Sequence, residues 1–202
     1  SAISIGDPNG IGIEIILKAL SKEEVLEKII PIVFGSYNLL SSQAKDLGLK
    51  TSLLHSISDI NNVKEAQINI LNVFDSCEYK FGVLDKPISE LGVLSFTSAI
   101  NAVKNEQADV LITAPINKNA AYSSRFKFSG QTDYLSSFFN IEALMLMVSD
   151  DLKIALATDH IPLKEVYSVL NKDLIKRKIL LLDKVLKDDF AILNPKIAVL
   201  AI

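Results

Sequence analysis

Ala2-Ile3-Ser4-Ile5-Gly6-Asp7-Pro8-Asn9-Gly10-Ile11-Gly12-Ile13-Glu14 opens the chain with a short apolar run, a turn of glycine, aspartate, proline and asparagine, and the start of a helical pattern. Apolar residues continue at helical spacing through Ile11, Ile15 and Leu20. A strand that feeds a helix through a glycine-rich turn is the first unit of an α/β sheet. The rest of the chain repeats it. Further strands are expected over 32–34, 68–73, 110–113, 143–148, 152–157 and 195–202, and helices over 38–47, 93–105, 163–170 and 174–186. Gly48 reads as the C-cap of the helix over 38–47, and Ser149-Asp150-Asp151 as the turn of a hairpin. Such alternation implies an α/β fold: a mostly parallel sheet with helices on both faces.

The polar segment 120–135, with Arg125, Lys127, Ser129, Gly130, Gln131 and Thr132, reads as a loop over a cleft and a domain boundary. A first α/β domain is therefore expected over 1–127, and the start of a second over 128–202. The last residues, Ala198-Val199-Leu200-Ala201-Ile202, read as a buried strand with nothing after it. Either another chain completes the sheet, or this is part of a longer protein whose second domain is incomplete here.

Composition narrows the function classes. The 202 residues are 49% hydrophobic and the mean hydropathy is +0.31. The apolar runs are short, far below the roughly 18 residues a membrane span needs, so no membrane association is expected. Residues 1–5 lead straight into Gly6-Asp7-Pro8 with no basic start, which does not read as a secretory leader. A net charge of −3, no Trp and no long basic block argue against nucleic-acid binding. The one cysteine, Cys77, cannot form an internal disulfide, which suits a reducing cytoplasm. Asp75 and Glu78 beside it are expected to raise its pKa and leave it inert.

Four segments could carry chemistry. Gly6 to Glu14 offers glycines that let a backbone approach a ligand, and equally a tight turn before a helix. It is not a dinucleotide fingerprint, because Ile15 occupies the third glycine position, and no Gly-Lys-Ser/Thr follows. Thr113-Ala114-Pro115-Ile116-Asn117-Lys118 lies at a strand end, where Lys118 is either a point charge for phosphate or carboxylate or a solvated loop lysine. Phe128-Ser129-Gly130-Gln131-Thr132-Asp133-Tyr134 offers an amide, a hydroxyl and a carboxylate, or else a turn and helix cap. Ala155-Leu156-Ala157-Thr158-Asp159-His160-Ile161-Pro162-Leu163 ends a strand on an imidazole, either a ligand or a packed histidine. The other histidine, His55, reads as a surface or loop residue.

Taken in order, these segments resemble the 4-hydroxythreonine-4-phosphate dehydrogenase family of pyridoxal phosphate biosynthesis. Gly6 to Glu14 resembles its Gly-Asp-Pro-x-Gly-Ile-Gly-x-Glu motif, and Thr113 to Lys118 its Thr-Gly/Ala-Pro-x-x-Lys segment. Gly130-Gln131-Thr132-Asp133 is similar to its Gly-His-Thr-Glu, and Ala157 to Leu163 matches Ala-Thr-x-His-x-Pro-Leu. The resemblance implies the two-domain architecture of the isocitrate and isopropylmalate dehydrogenases, and a homodimer with its site at or near the subunit interface. It implies NAD- or NADP-dependent oxidation of 4-phosphohydroxy-L-threonine, a small phosphorylated substrate, followed by decarboxylation to 3-amino-2-oxopropyl phosphate. It further implies a divalent metal (Zn, Mg or Co) held by three histidines. His160 matches the first of these, and Gln131 and Thr132 match a substrate-binding His-Thr pair. Asp7, Asn9, Lys118 and Asp133 are placed near the cleft, and no residue receives a catalytic role.

Two departures matter. Gln131 stands where the family has histidine, and an amide hydrogen-bonds but does not act as acid or base near neutral pH. An Asn-Pro-His segment with the second metal histidine, and a third histidine beyond it, are expected only past Ile202. This stretch is thus expected to be the N-terminal part of a longer enzyme and inactive alone. Two other readings stay open: a dehydrogenase of a sugar-acid 4-phosphate such as threonate or erythronate 4-phosphate, and a non-catalytic small-molecule binding module. A phosphate acyltransferase type is disfavoured by the Ala157 to Leu163 match.

Overall fold

The structure, a computed structural model, describes residues 1–121, 127–128 and 130–200. The chain divides into two compact units, Ser1–Gly130 and Gln131–Ile202.

The first unit is built on five strands: β1 (Ala2–Ser4), β2 (Ile32–Gly35), β3 (Leu54–Ile57), β4 (Ile68–Asn72) and β5 (Leu111–Thr113). All pair in parallel, in the order β3-β4-β2-β1-β5. Its helices are α1 (Gly12–Leu20), α2 (Glu23–Leu26), α3 (Tyr37–Asp46), α4 (Lys86–Lys104) and α5 (Lys118–Ala121). Successive side chains of a strand point to opposite faces. Ile3, Val33 and Ile70 therefore pack with Ile13, Ile16 and Leu17 of α1 and Leu40 and Ala44 of α3. Ala2, Ile32 and Phe34 belong to a second cluster with Ala99 and Ala102 of α4. Helices cover both faces, so β1 and β2 are buried throughout, as a parallel sheet requires.

β5 lies on the side of β1 away from β2, with Ile3 paired to both Val33 and Ile112. The strand order reverses between β1 and β5. In open α/β sheets the crevice beyond the carboxyl ends at such a point is where ligands bind.

The second unit holds α6 (Gln131–Phe139), β6 (Leu146–Val148), β7 (Lys153–Ala155), α7 (Leu163–Val169) and α8 (Lys172–Asp188). β6 and β7 form the expected antiparallel hairpin, with Met147 opposite Ile154. Among the described residues no helix is long and apolar enough to cross a membrane.

Several expectations are corrected. β7 covers three residues rather than the six expected over 152–157, and it is half-exposed, so the strand before His160 is short and not buried. Residues 195–200 carry no strand, because none of the described strands pairs with them to take up their backbone groups. The segment over 120–135 is not all loop: α6 begins at Gln131, while Arg125 and Ser129 lie outside the described residues. α4 starts at Lys86, not at 93, because Asp85 caps it by accepting from the Ile88 amide at 3.2 Å and Pro87 suits its first turn. His55 lies half-buried on the edge strand β3.

Candidate functional site

The turn after β1 is held by its own polar side chains. Asp7 Oδ1 accepts from the Asn9 amide at 2.9 Å, a local turn of the kind aspartate favours. Asp7 Oδ2 accepts from the Ser89 hydroxyl at 2.7 Å. Asn9 Nδ2 donates to the Val83 carbonyl at 2.9 Å, and its Oδ1 accepts from the Lys80 amide at 2.9 Å. Gln43 Nε2 donates to the Pro8 carbonyl at 2.7 Å. Asp7 and Asn9 are both buried. These bonds engage both carboxylate oxygens of Asp7 and both ends of the Asn9 amide, so the two side chains shape the loop.

The glycines of the turn serve close backbone approach. Gly6 has φ +70°, and a Cβ there would run into the Pro115 carbonyl. A Cβ on Gly12 would overlap the Ile5 carbonyl, and one on Gly92 of α4 the Gly6 carbonyl. The sequence reading missed Ser89 and Gly92. A glycine inside a helix costs roughly 1 kcal/mol against alanine, and that was the available sign of tight packing.

The second segment meets the first. The Ala114 amide donates to the Ser4 carbonyl at 3.1 Å, and the Asp7 amide to the Pro115 carbonyl at 3.0 Å. Asn117 Oδ1 accepts from the Ala120 amide at 3.1 Å and so caps α5, whose first residue is Lys118. The Lys118 ammonium lies beside Gly130, 3.6 Å from where a Cβ would sit. The loops after β1 and β5 thus form one connected rim at the sheet's carboxyl edge. It carries an exposed lysine suited to phosphate or carboxylate as a point charge.

In the second unit, Gln131, Thr132 and Asp133 are the first three residues of α6. Gln131 is half-buried, while Thr132 and Asp133 are exposed. An acidic residue in the first turn is favoured by the helix dipole. His160 lies on a separate loop between β7 and α7, exposed, with φ +52°. That left-handed conformation is uncommon outside glycine, although histidine adopts it more readily than most residues. A strained residue of this kind supports a hypothesis of function.

The structure therefore joins Asp7 and Asn9 to the loop that leads to Lys118 within the first unit. It sets Gln131, Thr132 and Asp133 on one turn of the second unit and His160 on another loop of it. Among the described residues, no three His, Cys, Asp or Glu side chains are grouped to hold a metal ion. A catalytic metal takes about three protein ligands. The described residues do not by themselves fit a metal centre, and the β1 turn is not a dinucleotide fingerprint.

Residues 27–202 match the family model described as pyridoxal phosphate biosynthetic protein PdxA. A protein of Sulfurihydrogenibium sp. named 4-hydroxythreonine-4-phosphate dehydrogenase is 37% identical over 202 residues, covering 100% of this chain and 62% of that protein. A Bacteroides thetaiotaomicron protein of the same name is 34% identical over 206 residues, covering 99% of this chain and 56% of that protein. The chain thus spans little more than half the length of these relatives. Solved structures of 4-hydroxythreonine-4-phosphate dehydrogenases from Burkholderia phymatum and Klebsiella pneumoniae superpose with TM-scores of 0.80 and 0.80 at 22% and 23% identity. They cover 91% and 92% of this chain and 57% and 57% of theirs, and they carry the fold. On these grounds the chain belongs to the family of the pyridoxal phosphate biosynthetic protein PdxA.

Proposed function

We propose that the protein containing this chain is a 4-hydroxythreonine-4-phosphate dehydrogenase. It oxidises the hydroxyl of 4-phosphohydroxy-L-threonine with NAD or NADP, and the β-keto acid then loses carbon dioxide. The observation that carries the reading is the pair of full-chain relatives of that name at 37% and 34% identity. The connected β1 and β5 loops support it, because they occupy the position where α/β sheets bind ligands.

In this reading Lys118 supplies positive charge for the substrate's phosphate or carboxylate. The Thr132 hydroxyl and Gln131 amide hydrogen-bond its polar atoms. Gln131 orients but does not transfer a proton. His160 contributes one ligand to a divalent metal whose other ligands lie outside the described residues. The protein acts in the cytoplasm as a homodimer, a reading supported by the lone Cys77 and by the family resemblance.

The test is NAD or NADP reduction by the full-length protein, with hydroxythreonine phosphate and with threonate and erythronate 4-phosphates as competing substrates. The first should be preferred. His160→Ala should lower kcat/KM by more than about a hundredfold, beyond the 10–100-fold typical of residues that only support a metal ligand. Preference for a sugar-acid phosphate would move the assignment to that neighbouring activity. Tight substrate binding without turnover would make the protein a binding module.

A further inference from the structure

Asn9 directs its hydrogen bonds at one short, remote segment. Besides its side-chain bonds to Lys80 and Val83, its carbonyl accepts from the Gly82 amide at 2.9 Å. The segment, residues 79–84, runs as a strap between β4 and α4. At its start the Tyr79 hydroxyl donates to Asp46 Oδ2 of α3 at 2.5 Å. Just past its end, Asp85 caps α4.

Between those points the apolar contact of the strap is internal, the Phe81 ring meeting that of Tyr79 at 5.3 Å between centroids. Phe81, Val83 and Leu84 are all exposed. Gly82 has φ +75° and open space around it, so it is present for its backbone conformation and not for close packing. The internal bond from the Val83 amide to the Lys80 carbonyl, 3.2 Å, makes a turn but does not attach that turn to the sheet. The attachment at the middle of the strap is Asn9. Asn9 is in turn held by Asp7, and Asp7 by Ser89 on the first turns of α4.

We infer that Asn9 is a positioning residue, a latch that fixes the 79–84 strap beside the carboxyl end of β1 as a rigid wall of the binding crevice. The role of the wall rests on the proposal that this crevice binds the substrate or its cofactor. The latch itself rests only on the geometry.

The experiment uses the full-length protein with Asn9→Ala and Asn9→Asp. The aspartate keeps the shape and the acceptor for Lys80 and loses the donor to Val83. Hydrogen exchange should quicken in residues 79–84 by about fivefold to tenfold in Asn9→Ala, and at least as much in Asn9→Asp, whose second carboxylate oxygen would face the Val83 carbonyl. Exchange in β1 and β2 should stay as in the parent. KM should rise several-fold more than kcat falls. Unchanged strap exchange in both variants would overturn the latch. A loosened strap with KM unchanged would overturn the wall. If Asn9→Ala fails to fold, Asn9→Asp decides by the same readouts. Absence of dehydrogenase activity in the parent protein would count against the proposed function alone, since the exchange measurement does not depend on turnover.

Discussion

The Ser89 hydroxyl donates to Asp7 Oδ2 at 2.7 Å across 82 residues of sequence, and both residues are buried. This bond ties the N-terminal part of α4 to the turn after β1. Ser89→Ala leaves a buried carboxylate oxygen without that donor, at a cost of about 1–3 kcal/mol. Asp7→Asn should cost less, because the serine hydroxyl can rotate to accept from the new amide. Urea unfolding of the two variants measures both. An unshifted midpoint for Ser89→Ala would mean that the carboxylate finds another partner.

Two glycines separate crowding from backbone conformation. A Cβ on Gly92 would overlap the Gly6 carbonyl oxygen and lie 2.9 Å from its carbon, both backbone atoms with little freedom to move. Gly92→Ala should therefore cost at least the upper end of the roughly 1–3 kcal/mol of overpacking. Gly48 has φ +65° and nothing within 4 Å of a Cβ. Gly48→Ala carries only the left-handed penalty of about 1–2 kcal/mol, partly offset by a stiffer unfolded chain. Thermal unfolding should rank Gly92→Ala well below Gly48→Ala, and the reverse order would refute the close approach of α4 to the β1 turn.

What was legible in the sequence was local. The apolar run before Gly6 and the turn at Gly48 are short-range signals, and β1 and the end of α3 follow them. α1 forms where the spacing of Ile11, Ile15 and Leu20 places a helix, but Ile11 and Ile15 are exposed and its buried face is Ile13, Ile16, Leu17 and Leu20. The hairpin was legible because Ser149 to Asp151 separates two apolar runs. The start of α4 was missed because Val93 opens its apolar face, while Asp85 and Pro87 start it two turns earlier. At the candidate site the motifs pointed to Asp7, Asn9 and Lys118. Ser89, Gly92 and the strap residues act through contacts more than 70 residues away along the chain, and such contacts leave no periodicity to read.

α8 starts on a side-chain cap. Its buried residues are Leu174, Leu182 and Leu186, and Asn171 Oδ1 accepts from the Leu174 amide at 2.9 Å. Asn171→Ala should cost about 1 kcal/mol and speed amide exchange in the first turn of α8, while Asn171→Asp should restore both. Equal exchange in the alanine variant and the parent would show that packing of Leu174 alone fixes the helix start.

Cys77 is half-buried, and burial raises its thiol pKa, so the cause is desolvation and not the acidic neighbours invoked from sequence. The thiolate is the reactive species. Near pH 8, a disulfide reagent should label Cys77 more slowly in the folded protein than in urea, where the thiol regains its ordinary value. Glu78→Gln should leave the folded-state rate nearly unchanged. A marked acceleration in that variant would restore the carboxylate as the cause.

In the second unit, Glu142 Oε1 lies 3.0 Å from the Lys178 ammonium, which also donates to the Ala143 carbonyl at 2.8 Å. The Lys178 hydrogen bond is the main cause holding the Glu142 carboxyl below its ordinary value of 4.5. Desolvation opposes it, and the charges of Lys178 and Arg177 add to it. A carboxyl depressed in the folded state stabilises fully above its unfolded value and loses that contribution as pH falls through the folded one. The stability gap between parent and Glu142→Gln should thus be flat from about pH 6 to 8 and shrink below about 4.5. The gap should also be small, because the Glu142 side chain is 44% exposed and solvent screens the pair. Urea unfolding at several pH values reads it directly. A gap that widens toward acid would reverse the sign and mean that Glu142 is stabilised in its protonated form, against the Lys178 geometry.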